Sequence, residues 1–425
     1  MNVTTLAESL LAWMAAEGQA LTDDLNQLEP LVRDAVHRVG ARALELQVAR
    51  GKLGYEGAAR PCGCGQLQRF LGHRPKTIET LLGTIRLARA YYRCSSCRQA
   101  DLPYDQRVGL CRSPVSQTLA EAVTHLAIQE PFAHAAESLH KLTGRRLSES
   151  TVTRLTRRVG GVAARQEQAL AGRMETWQSP RAEVTPERLY GAADGTMIHL
   201  QDGWHEAKTA AFYWDAPGGL KPVRYCVRLE AVDQFKGHFW ALGCRCGLEQ
   251  ARQKALLGDG ALWIWQHLGG LMKEATHIVD WFHACEHLWS CARELHGPGT
   301  PQARGWEQEH QALLKDGNVR GLLECLRQQH ARARSAAKRK ALQGLITYIT
   351  HQDDRLAYDR FKAQGFDIGS GRVEAACKSA VGVRMKRNGA RWSAATAQAT
   401  LSLRVAWLNR DWDAFWKTHP LANAA

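Results

Sequence analysis

No run of about 18 consecutive apolar residues occurs in the 425-residue chain, so no membrane-spanning helix is expected. The first 18 residues contain Glu8 and neither Lys nor Arg, so the basic start of a secretory signal is missing as well. There is no short-period repeat and no low-complexity tract, which excludes solenoid and fibrous designs. Acidic residues are in deficit. Asp and Glu number 42 against 56 Lys and Arg, a net charge of +14 with a pI near 9.4. Together these features lead us to expect a cytoplasmic protein with a polyanionic partner such as nucleic acid and no membrane.

What is present is globular. Hydrophobic residues make up 45% and charged residues 23%, enough apolar content to exclude disorder of the whole chain. The length suggests several domains. Residues 1–57 read as helical, with Leu6, Leu10, Leu11 and Met14 on one face. Residues 58–112 turn β-rich, with runs at 77–81 and 84–92 around Gly83, which suits a hairpin. Residues 113–180 return to helix. From Leu189 onward, strands at 189–200, 208–214, 224–232, 256–259 and 277–280 alternate with helical stretches through residue 300. Residues 301–365 form a helix-rich segment, and 366–425 are mostly helical.

Twelve cysteines in a reducing compartment do not suggest a disulfide frame. Cys62-x-Cys64 precedes Cys94-x-x-Cys97 by 29 intervening residues. Two such turns joined by a hairpin bring four thiolates together and suit one structural, tetrahedral Zn²⁺. The bland alternative is four unrelated buried cysteines. Cys244 and Cys246 have no partner pair and read as structural.

Pro131 opens a helix with Phe132, Ala135, Ala136 and Leu139 inward, and Gly144 ends it. Ser148 caps a second helix with Val152, Leu155 and Val159 inward, which leaves Thr153, Arg154, Thr156, Arg157 and Arg158 facing out. Residues 141–173 hold eight basic and two acidic side chains. A short helix, a Gly-bearing turn and a basic outer helix match a DNA-reading helix-turn-helix. A plain helical hairpin with a solvated basic face is the alternative.

Three acids sit in unusual settings. Asp194 lies within an apolar strand, Asp259 at the end of a short apolar strand, and Glu374 in the first turn of a helix. Carboxylates that converge unpaired cost free energy, and divalent cations remove that cost. Mg²⁺ prefers oxygen ligands, and two such ions clamp the attacking and leaving oxygens of phosphoryl transfer. Two strand aspartates and a helix glutamate form the ligand set of that chemistry on an RNase H-like sheet. Asp280 follows Asp259 after 20 residues, and His283 lies one helical turn further on. An N-cap aspartate beside a core histidine is the alternative for that pair. After Glu374 the chain holds Lys378, Arg384, Lys386, Arg387, Arg391 and Trp392, with no acid from Ala375 until Asp411. Such a stretch would neutralise phosphates, with Trp392 stacking on an unpaired base. The run Arg332, Arg334, Lys338, Arg339, Lys340 reads equally as a DNA contact or a soluble helix face. Trp263, Trp265, Trp281 and Trp289 read as core.

These stretches carry a resemblance. Ala193-Asp194-Gly195-Thr196, Leu257-Gly258-Asp259-Gly260-Ala261, Asp280-Trp281-Phe282-His283 and Gly369-Ser370-Gly371-x-Val373-Glu374 resemble a bacterial insertion-sequence transposase of the DDE class. The ISKra-type group and its Mutator-like relatives are the most similar. The likeness covers roughly residues 58–410 and includes the four-cysteine ribbon and the basic stretch after Glu374. It implies a multidomain α+β chain: a zinc ribbon and helix-turn-helix, then an RNase H-like α/β core split by a helical insertion. The 114 residues between Asp259 and Glu374 suit that insertion. It further implies that Asp194, Asp259 and Glu374 hold two catalytic Mg²⁺, while Asp280 and His283 order the site or the DNA end. The expected activity is binding of element ends, DNA cleavage and strand transfer into target DNA, by a homo-oligomer on double-stranded DNA in the bacterial nucleoid. A non-cutting DNA-binding regulator and a structure-selective nuclease of the same fold are the competing expectations.

Overall fold

The computed structural model describes residues 2–111 and 113–422. The chain forms two compact units. One runs from the N-terminus to Ala163 and takes in the segment from Asp411 onward; the other spans Ala164–Arg410. Residues 366–425, read from sequence as one block, therefore divide at Arg410. Among the described residues no helix is long and apolar enough to cross a membrane.

The first unit opens with α1 (Val3–Ala16) and α2 (Leu25–Arg50), whose N-caps are Asn2 and Asp24. A four-stranded antiparallel sheet follows in the order β1 (Ala59–Pro61), β2 (Leu67–Thr80), β3 (Gly83–Cys94), β4 (Ala100–Asp101). The β2–β3 hairpin closes where Thr80 pairs with Gly83, whose φ of +149° favours glycine. Ile85, Leu87 and Arg89 alternate inward on β3. Buried Arg89 pairs with buried Asp105 of α3 (Pro103–Val108), so neither charge is left alone inside. Then come α4 (Gln117–Ala127), α5 (Phe132–Thr143) and α6 (Glu149–Gly172). Gly144, at φ +70°, terminates α5, and the Ser148 hydroxyl accepts from the Thr151 N–H. Ala135, Leu139, Val152, Leu155 and Val159 are buried as expected. The C-terminal α16 (Trp412–Lys417) packs in this unit, with the Trp412 indole donating to Glu121.

The second unit is built on a five-stranded mixed sheet, order β7-β6-β5-β8-β9. The strands are β5 (Arg188–Leu200), β6 (Gly203–Trp214), β7 (Val223–Arg228), β8 (Gln253–Gly258) and β9 (Thr276–Val279). Strand β6 is antiparallel to its neighbours, whereas β5, β8 and β9 run parallel. Parallel strands need crossovers, which α7 (Val232–Arg245) helps to supply. Tyr190, Phe212, Leu256 and the α7 residue Phe239 are fully buried in the core of this unit. The β7 strand stops at Arg228; Val232 opens α7 instead of ending the strand.

After β9 come α8 (Trp281–His296) and the helical segment α9 (Pro301–Lys315), α10 (Val319–Arg332), α11 (Ala336–Gln352) and α12 (Tyr358–Ala363). The chain returns through α13 (Gly371–Ala376), a π-helical turn (Cys377–Gly382), α14 (Val383–Met385) and α15 (Ala394–Leu408). Trp265 is buried in this unit, but Trp289 is exposed beneath Arg293 and is not a core residue.

Candidate active site

Register places the acids. Ala192 of β5 pairs with Leu257 of β8, and Leu257 pairs with Ile278 of β9. Asp194, Asp259 and Asp280 each lie two residues further on. Asp194 therefore lies midway along β5 at the same level as Asp259 and Asp280, which sit just past the carboxyl ends of β8 and β9, on adjacent strands spaced about 4.8 Å apart. Equal rows share a sheet face, because side chains alternate with a period of two.

Asp280 caps α8 and is fully buried. Its Oδ1 accepts from the His283 N–H at 2.8 Å and faces the His283 Nδ1 at 3.2 Å. Its Oδ2 accepts from the Ser370 N–H. Burial works to raise its pKa, but the bonds from His283 and Ser370 outweigh it and hold the carboxyl below its ordinary range. In return the hydrogen bond to Asp280 lifts His283 to about 9, so the two form a charged pair at neutral pH. The Ser370 bond, with Trp281 N–H donating to the Ile368 carbonyl, fastens the Gly369-Ser370-Gly371 turn to the strand ends. That turn starts α13 and delivers Glu374. One ligand atom each of Asp280, His283 and Glu374 lies within 4.8 Å of the others.

Asp194 and Asp259 stand outside that tight group. Burial raises the Asp194 pKa; the Cys377 thiol and the Gly195 N–H lower it, and the charge of Asp259 adds to the rise. The Asp259 Oδ1 accepts from the Ala261 N–H at 2.8 Å. The helical segment braces this loop: Gln352 of α11 donates to the Gly260 carbonyl at 2.9 Å. Gly260 has φ +100°, and a Cβ there would lie 3.0 Å from the Tyr348 ring, so only glycine fits. Tyr358 of α12 donates to the Val279 carbonyl, one residue before Asp280.

The sequence reading missed Cys377, whose Sγ lies 3.3 Å from the Asp194 Oδ2. Its signal was present, because Cys377 falls three residues after Glu374 and so on one helical face. It also missed Ser370 as the partner of Asp280.

The basic stretch divides. Lys378, Lys386, Arg387 and Arg391 are exposed, and the Lys386 Nζ donates to the Thr196 Oγ1 at 2.6 Å. Arg384 is 3% and Trp392 5% exposed, which overturns their assignment to phosphate contact and base stacking. The Arg384 guanidinium lies over the Trp392 ring, and burial lowers it to about 9. Trp392 pairs with the end of β5, its N–H donating to the His199 carbonyl, and its indole donates to Met385. The exposed aromatic beside Asp280 is instead Phe282. On α6, Arg154 and Arg157 are exposed. Thr156 is buried, and Arg158 is half-buried and donates to the Leu421 carbonyl, so neither belongs to a free outer face.

Cys62, Cys64, Cys94 and Cys97 meet at one end of the β2–β3 hairpin, their sulfurs within 4.8 Å of one another. Gly65, at φ +85°, turns the first pair, and its N–H donates to the Cys62 carbonyl. The backbone N–H of Cys97, then that of Ser96, lowers the Cys94 thiol to about 6, which favours the thiolate. Four sulfurs so placed could hold a metal such as zinc. The close Cys-x-Cys spacing is no obstacle.

No curated protein matches the chain. A family model covers residues 65–414, beginning just past the first cysteine pair and spanning every acid of the site; the chain belongs to the uncharacterised protein family UPF0236.

Proposed function

We propose that the protein is a DDE-type transposase that cuts DNA at the ends of an insertion sequence and joins them to a target. The observation that carries this is the single row of Asp194, Asp259 and Asp280, with Glu374 fastened beside it through Ser370. A mixed sheet with these aspartates on or just past three parallel strands, a glutamate on a returning helix and helices inserted between supports an RNase H-like core. Asp194, Asp259 and Glu374 are suited to hold Mg²⁺: they offer oxygens only, and the Asp259 charge acts on Asp194. Bound there, two such ions would activate a water or a DNA 3′-hydroxyl and stabilise the departing oxygen. Asp280 positions His283, whose imidazolium is a hydrogen-bond donor and positive charge at the edge of the site. Lys378, Lys386, Arg387 and Arg391 hold the phosphate backbone. In the first unit, Arg154 and Arg157 of α6 make a contact of their own with double-stranded DNA. The four-cysteine cluster holds one structural zinc.

Strand transfer tests this. The substrate is DNA from the flanks of the gene, pre-cut at any inverted repeats, supplied with Mg²⁺. The parent should join ends to target, while Asp194→Asn and Glu374→Gln should bind DNA and join none. Unchanged joining by these variants refutes the site. End binding without cleavage in any form indicates a regulator, and cutting of branched DNA without preference for ends indicates a structure-selective nuclease.

A further inference from the structure

Three faces of α2 have different fates. One meets the hairpin: Ala41 is buried, a Cβ at Gly40 would lie 3.1 Å from Leu82, and Glu45 accepts from the Arg86 N–H at 2.9 Å. A second meets α1, where Arg38 lies over the Trp13 ring and pairs with Glu17. The third carries Leu25, Val32, Val36, Val39, Ala43 and Leu46, and it is left largely uncovered by the described residues. Leu25 is 70% exposed, Val36 47%, Val39 49% and Leu46 50%. An apolar stripe left in water along a helix of about 39 Å marks an interaction surface.

We propose that this stripe binds the same stripe of a second copy of the chain, as an antiparallel two-helix coiled coil. The spacing identifies the partner as a helix. Positions 25, 32, 36, 39, 43 and 46 fall on one unbroken series of alternating three- and four-residue steps, which keeps a seam facing a neighbouring helix. A face that packs on a sheet or an irregular surface needs no such series. Charge sets the direction. The same series passes through Glu29, between Leu25 and Val32, and reaches Arg50 at the other end. Parallel pairing puts Glu29 against Glu29 and Arg50 against Arg50. Antiparallel pairing about a two-fold axis between residues 37 and 38 sets Val36 against the second copy's Val39 and Val32 against its Ala43. Each Glu29 then comes within a helical turn of an Arg50. Such an interface is self-complementary and closes at two copies. The helix lies wholly outside the stretch matched by the family model, so this contact is independent of the chemistry proposed above.

Sedimentation of the full chain tests it. The parent should be a dimer at low micromolar concentration. Val36→Glu with Val39→Glu should give monomers with unchanged far-ultraviolet circular dichroism, since both side chains already face solvent. Glu29→Arg should weaken the dimer about tenfold or more, and Arg50→Glu added to it should restore it. For direction, chains carrying Val36→Cys are mixed with chains carrying Val39→Cys under mild oxidation. Cross-links between the two variants are expected; cross-links only between identical chains overturn the antiparallel pairing. A monomeric parent, or a dimer indifferent to the glutamates, overturns the interface.

Discussion

Cys377 holds its sulfur 3.3 Å from the Asp194 Oδ2, which ties the π-helical turn after Glu374 to the middle of β5. This is a hydrogen bond to a half-buried carboxylate, the kind that contributes about 1.5–3 kcal/mol. Cys377→Val should therefore lower stability by roughly that amount and weaken Mg²⁺ binding, whereas Cys377→Ser should keep most of both. Chemical denaturation and Mg²⁺ titration by calorimetry provide the readouts; equal behaviour of the two variants would refute the role.

Asp280 is buried with donors on both oxygens. Asp280→Asn keeps the shape but removes the charge that His283 requires and sets an amide N–H₂ against a backbone N–H. Breaking a buried pair in this way costs about 3–5 kcal/mol, less here because His283 is partly exposed. The expected result is a loss of about 2–4 kcal/mol by urea unfolding, with the His283 titration seen by NMR moving down from about 9 toward its ordinary range. An unmoved titration would show that the pair does not form.

His238 gives a pH signature away from the site. Burial, then the nearby Arg228, lowers it to about 4, while Glu230 opposes this and the Gln168 side chain meets its ring. The folded state thus keeps it neutral, and the unfolded chain takes up a proton below about 6.5. Its contribution is complete above pH 6.5 and is lost as pH falls toward 4. The stability difference between the parent and His238→Gln should change by on the order of 3 kcal/mol across that window and stay flat above pH 7. A difference independent of pH would mean that the imidazole titrates normally.

The cysteine cluster predicts about one zinc per chain by metal analysis. Replacing Cys94 and Cys97 together by Ser should abolish it and loosen the β2–β3 hairpin, seen as a lower unfolding temperature. Retained zinc would place the metal elsewhere.

The strands before Asp259 and Asp280 were legible because each is a short apolar run that stops at an acid, and β5 because its apolar run carries Asp194 at its centre. Their alignment in one row was not, since register between distant strands leaves no local mark. The cysteine pairs and the α5–α6 turn were legible from spacing and from Gly144. The fates of Arg384 and Trp392 were hidden for a definite reason. The π-helical turn at Cys377–Gly382 adds a residue and rotates the helix beyond it, so a uniform helical period assigns Arg384 to the wrong face. Thr156 misled for a simpler reason. Its hydroxyl donates to the Val152 carbonyl, which lets a polar side chain lie inside.

The carbonyls of Gly260 and Val279 receive donors from Gln352 and Tyr358, and a Cβ at residue 260 would press to 3.0 Å of the Tyr348 ring. The interpolated helices are thus a splint for two of the strand-end acids and not a removable appendage. Any shortened form of the chain that drops them should keep its sheet yet let the acidic row splay, and grafts from related chains would need to bring matching glutamine and tyrosine rungs.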